Sequence, residues 1–180
     1  MVDGEKSSPL LITRITKIVM CLGMAVFCLL VTFDNLADYN ANYEFVQHVL
    51  SMDTTFPGNE LRDRAITNPT LWRLTYASII IAEGLAGALF LAGAVQMVRA
   101  RQAPGVEFNR AKAYAIAGAL VAFLVWFFGF MVVAGEWFAM WQSQTWNGQE
   151  AAFRFYMAVL AVLILLNHSD PDLPNETGPR

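Results

Sequence analysis

The chain has 180 residues, 56% hydrophobic and 15% charged, with a net charge of −3 and a mean hydropathy of +0.43. Soluble domains carry about 25% charged residues, so these figures exclude an ordinary soluble domain; they exclude disordered and disulfide-scaffold chains as well. With no basic excess, nucleic acid is not an expected partner.

The apolar residues fall into four blocks, and a spanning helix needs about 20 mostly apolar residues. The expected fold is all-α: an integral membrane four-helix bundle forming a single domain over 1–180. Spans are expected at about 15–34, 72–98, 113–135 and 148–167, with an outer loop at 34–71 and a disordered tail at 168–180. The lipid bilayer is the first partner this implies.

The first block runs from Ile18 to Phe33 and spans if Lys17 snorkels. Arg14 and Lys17 before an apolar run also suit a signal peptide. The sequence Phe33-Asp34-Asn35-Leu36-Ala37-Asp38 has no small-x-small cleavage site, so the block reads as a retained anchor. Cys21 and Cys28 are separated by about 10 Å of helical rise, too far for a disulfide, and read as packing thiols.

The outer loop is long for a bare connection. Asp38 is placed to cap a helix, and Tyr43, Val46, Val49 and Leu50 fall at helical spacing. This predicts a short amphipathic helix from about Ala41 to Ser51, lying over the bundle mouth or on the membrane. Pro57-Gly58 signals a turn, and Asn68-Pro69 reads as an N-cap with Pro at the first helical position.

The second block, Leu74 to Val98, contains one charge, Glu83. It lies about 16 Å into the span by helical rise, near the middle of a roughly 30 Å core. A carboxylate there costs several kcal/mol unless paired or protonated. Glu83 therefore reads either as a proton- or cation-handling site or as a neutral acid hydrogen-bonded within the bundle. Gly84 and Ala88 beside it make a small-xxx-small pair.

The third block, Ala113 to Gly135, is uncharged, with Glu136 at its outer end. The fourth is complete only from Trp146 to Asn167, which brings in Glu150 and Arg154. An i,i+4 pair between those two is geometrically natural, with Glu136 as another partner for Arg154. An interfacial ion pair holding helices together is the structural reading of this group, and anion binding or gating the functional one.

Lys6, Arg14 and Lys17 precede the first span, and Arg99, Arg101, Arg110 and Lys112 lie between the second and third. The positive-inside rule then puts both termini in the cytoplasm and two loops outside. Trp72, Trp137, Trp141 and Trp146 all fall at outer ends, as indoles prefer, while Trp126 reads as a packing contact. The two histidines, His48 and His168, lie on opposite sides, which argues against a shared haem. His48 with Asp38, Glu44 and Asp53 has no recognised metal spacing and reads as a hydrogen-bonded loop. His168 follows the fourth helix, where it can satisfy the last carbonyls. Hydrolase, kinase and dehydrogenase fingerprints are missing, so no catalytic residue, cofactor or metal is expected.

The run Asp34-Asn35-Leu36-Ala37-Asp38-Tyr39-Asn40-Ala41-Asn42-Tyr43-Glu44-Phe45-Val46-Gln47-His48-Val49-Leu50-Ser51-Met52-Asp53-Thr54-Thr55-Phe56-Pro57, continued by Asn68-Pro69 and Trp72-Arg73, resembles the signature of a bacterial family of predicted small integral membrane proteins of unknown function. The resemblance implies a four-helix protein of the bacterial inner membrane and brings no catalytic residue, cofactor or substrate with it. The expected function is an accessory or structural subunit docking with other membrane proteins or with its own copies. The alternatives are a small proton- or cation-coupled transporter using Glu83, and an envelope sensor or assembly factor acting through Asp38, His48 and Asp53.

Overall fold

The computed structural model describes residues 3–173, all helix and loop, with no strand among them. The helices are α1 (Asp3–Ala37), α2 (Tyr39–Ser51), α3 (Pro69–Arg99), α4 (Gly105–Ala111), α5 (Ala113–Phe123) and α6 (Gln149–Asn167). From Leu124 to Trp137 α5 continues in π-helical winding, closing with Phe138 N–H donating to Val133 O at 3.0 Å. Four stretches are long and apolar enough to cross a membrane: Pro9–Ala37, Pro69–Arg99, Gly105–Trp137 and Gln149–Asn167. The first three extend past both of the boundaries expected from hydropathy, and the fourth falls within its expected 148–167.

The stretches form a bundle in which α1 packs on α3, α3 on α5, and α5 with its π continuation on α6. Between helices there is little hydrophobic drive in lipid, so close packing at small residues holds them together. A Cβ added at Gly87 would sit 2.8 Å from Leu29 Cγ of α1, and one at Gly93 would sit 2.5 Å from Ala115 N of α5. The pair expected at Gly84 and Ala88 is not the seam. Gly84 meets only the Thr32 side chain, and Ala88 is exposed. The seam lies three residues further on, because Gly87 and Gly93 occupy the faces turned to α1 and α5. Ile81, Leu74, Leu120 and Ile164 point outward, the surface that hydrocarbon covers. Cys21 and Cys28 are buried free thiols. Trp126 packs against Phe27 and Phe155.

At one end, α2 folds over the bundle. It starts at Tyr39, two residues before the expected start, and buries Val46, Val49 and Leu50. Asp38 occupies the N-cap position but its side chain makes no capping bond, contrary to its expected role: α1 and α2 are separated by that single residue, whose N–H still closes the last turn of α1 on Asp34 O. Asn68 does cap α3, accepting from Thr70 N–H at 2.8 Å, with Pro69 following. Gly58 turns the Pro57-Gly58 corner at φ +82°, where a side chain would be strained. The loop after α2 is tied to the one before α6. Thr54 Oγ1 donates to Ser143 Oγ at 2.8 Å, and Phe56 N–H to Gln142 Oε1 at 3.1 Å.

At the other end the structure corrects the disordered tail. Residues 168–173 of that tail run across the bundle as a strap, and the rest of it, 174–180, lies outside the described residues. Lys17 does not snorkel: it is 1% exposed and donates to Asp170 Oδ2 at 2.5 Å and His168 O at 2.9 Å. Lys112 pairs with the same carboxylate oxygen and also donates to His168 O. Arg14, equally buried, donates to Arg101 O, Ala103 O and Pro171 O, and its guanidinium lies over the Phe108 ring. The side chain of His168 is exposed and makes no capping bond among the described residues; its carbonyl instead accepts from both lysines. Burial pushes the Asp170 carboxyl up, but the hydrogen bonds and charges of Lys112 and Lys17 outweigh it and hold the group below its ordinary value.

Candidate functional site

Glu83 lies near the middle of α3 and is 3% exposed. Because α1 ends at Ala37, the facing partner of Glu83 comes from the last turn of α1. Asn35 Nδ2 donates to Glu83 Oε2 at 2.7 Å. Asn42 of α2 donates to Asn35 Oδ1 at 2.6 Å, and the Tyr76 hydroxyl donates toward Asn35 O at 3.2 Å and Oδ1 at 3.3 Å. Asn35 is thus the hub, with both ends of its amide engaged, and a buried polar group satisfied in this way is a positioned one. Glu83 Oε1 makes no hydrogen bond among the described residues. Asn42 is exposed, so the chain of bonds runs from the α2 end of the molecule down to a carboxyl inside it.

This cluster lines a cavity of about 260 Å³ between α1, α2, α3, the π-helical stretch and α6. Its other walls are largely aromatic: Phe45, Trp126, Phe130 and Phe155, with Ala151, Ala152 and Gly148 giving room. Below Glu83, toward the strap, Cys28, Ala86, Phe90, Ala94 and Met97 pack an apolar core. A second, almost wholly apolar cavity of about 430 Å³ lies between α2, α3 and the π-helical stretch, and shares Phe45, Val46, Ile79 and Phe130 with the first.

The other residues singled out from the sequence do not join this site. Arg154 and Glu150 do pair with each other, but both are exposed (71% and 81%) and both belong to α6, so the pair clamps no second helix. Glu136 is exposed and makes no ion pair among the described residues. His48 Nδ1 lies 2.8 Å from Asp53 Oδ2, and the imidazole stacks on Trp146 at 4.6 Å between centroids. Asp38 stands apart from them. Among the described residues no cluster of three or more His, Cys, Asp or Glu could hold a metal ion.

Asn35, Asn42 and Tyr76 were not marked from the sequence. Their signal was faint: Asn35 and Asn42 are two amides in the outer-loop run, and Tyr76 lies just inside the second apolar block. Only the antiparallel fit of α1 on α3, with α2 folded over both, shows that all three belong with Glu83.

The described site, four spans and folded-over α2 belong to one recognisable pattern. A family model for predicted small integral membrane proteins (DUF2165) matches residues 13–169. The chain belongs to this family. The match takes in all of the outer-loop run, the Glu83 cluster, and the strap as far as Ser169. Family membership makes the chain an integral membrane protein and assigns no activity to it. Comparison with curated proteins and with solved structures gives no match.

Proposed function

We propose that this protein is a non-catalytic accessory subunit of the bacterial inner membrane. In this reading it binds a small ligand from its outer side, in the cavity beneath α2, and docks with other membrane proteins in a way that depends on that site. The observation that carries the reading is the Asn42–Asn35–Glu83 chain on the wall of the 260 Å³ cavity. A buried acid held by a hub amide, at the edge of a space, is arranged to meet something. The distribution of basic residues supports placing α2 outside and the strap inside. The apolar packing below Glu83 favours a one-sided site over a through-going proton or cation path.

Glu83→Gln keeps the shape of the side chain and its acceptor for Asn35. In gently solubilised membranes at native expression, the unaltered protein is expected to migrate in a larger assembly on native electrophoresis. Glu83→Gln is expected to weaken that assembly while the protein remains at normal abundance. A clean monomer for the unaltered protein would overturn the accessory reading. If Glu83→Gln instead depletes the protein, the side chain serves the fold alone.

The exposed His48–Asp53 pair on Trp146 supports a second reading, in which α2 and its loop are themselves the contact surface for an envelope partner. Asp53→Ala and His48→Ala are then expected to dissociate the assembly with Glu83 intact.

A further inference from the structure

We infer that the Glu83 cavity is a site for an organic ammonium group, and this rests on the reading of that cavity as a ligand site. The chemistry of the walls points there. The cavity has one carboxyl, whose Oε1 makes no hydrogen bond among the described residues, and no Lys, Arg or His lines it. Around that carboxyl stand five aromatic side chains, Phe45, Tyr76, Trp126, Phe130 and Phe155. Aromatic faces attract cations that shed their water easily, and an aromatic cage is the usual receptor for alkylated ammonium groups. A divalent metal would want several oxygen or nitrogen ligands, and this wall offers one carboxylate beside an Asn35 amide oxygen that already accepts from Asn42 and Tyr76. A space of about 260 Å³ suits a small head group rather than a drug-sized molecule. Asn35 holds Glu83 Oε2 through its amide N–H, which fixes the carboxylate while leaving the other oxygen to the ligand. No covalent step is involved; binding is by charge, hydrogen bonding and contact.

The ammonium group could arrive on a free amine or on an ethanolamine phospholipid head group, and two arms separate these. In the first, purified protein in nanodiscs of phosphatidylglycerol alone is titrated with choline and with ethanolamine, followed by tryptophan fluorescence. Saturable binding is expected, not reproduced by equal sodium or potassium. It should weaken about tenfold or more in Glu83→Gln, as loss of a charged hydrogen-bond partner implies, and several-fold in Phe155→Leu. The second arm uses native mass spectrometry on protein from nanodiscs mixing ethanolamine and glycerol phospholipids. Selective retention of the ethanolamine lipid, lost in Glu83→Gln, assigns the head group as the source; free-amine binding without that retention assigns a soluble amine. Phe155→Leu keeps the test decisive if Glu83→Gln does not fold. The inference is overturned if neither arm shows binding, if the variants bind as the unaltered protein does, or if alkali cations compete equally. Ammonium binding without any dependence of assembly on Glu83 would leave this inference standing and remove the link between docking and the cavity. The reverse result would remove only the ligand class.

Discussion

Asp170→Asn is expected to be the most damaging single change outside the candidate site. The substitution keeps the size of the side chain but leaves Lys17 and Lys112, both nearly fully buried, without their shared anion. Breaking a buried ion pair by removing one partner costs about 3–5 kcal/mol. The strap lies at a polar end where water can enter on relaxation, so the lower end of that range, about 3 kcal/mol, is expected. The check is equilibrium unfolding in mixed micelles, read by circular dichroism. A companion variant sharpens it. Lys112→Met leaves Lys17 and Asp170 as a balanced pair, and should cost clearly less. If Asp170→Asn and Lys112→Met are equally harmful, charge balance is not what holds the strap. The pH dependence follows from the same group. Its folded pKa lies below the unfolded carboxylate value, near 3.9 for Asp. Its contribution is therefore complete above about pH 4 and falls away as the pH drops through the folded value. Acid should destabilise the unaltered protein in that window more steeply than Asp170→Asn.

Gly93→Ala is the second. In an isolated helix this change would stabilise by about 1 kcal/mol, since Ala is the better helix former. Here the new methyl would lie 2.5 Å from Ala115 N and 2.6 Å from Ala115 Cβ. The obstruction is backbone, which cannot swing aside as the end of a flexible side chain would. Overpacking of this kind costs about 1–3 kcal/mol, so the net expectation is a loss of stability with α3 and α5 pushed apart. Gly58→Ala offers no such clash and tests only the positive φ, so comparing the two unfolding midpoints separates packing from backbone strain. A Gly93→Ala protein as stable as the parent would mean the seam opens without cost.

Much of the fold was legible in the sequence, because the bilayer as solvent leaves few alternatives for long uncharged runs. Four apolar blocks became four spanning helices, and the loop after the first carries an amphipathic helix where Val46, Val49 and Leu50 are spaced for one. Packing between blocks was less legible. Gly84 and Gly87 are both small and close in sequence, and only the rotation of α3 against α1 decides that Gly87 makes the contact. The same holds at the site. Glu83 stood out because a carboxylate in an apolar block is expensive, whereas Asn35 is cheap near a helix end and gave no comparable signal. The tail misled for a related reason. Pro171 and Asp170 read as disordered by composition, which does not register that one aspartate can be the counter-ion shared by two lysines more than fifty residues away from it and from each other.

The strap also bears on the order in which the molecule is made. Lys17 emerges early, but its two acceptors lie 151 and 153 residues further along the chain. Until residues 168–170 are made, Lys17 lacks both of these acceptors, and water and lipid head groups solvate its charge. When the strap arrives it latches the first helix to the fourth and third together. Closure of this end of the bundle therefore waits on residues 168–173.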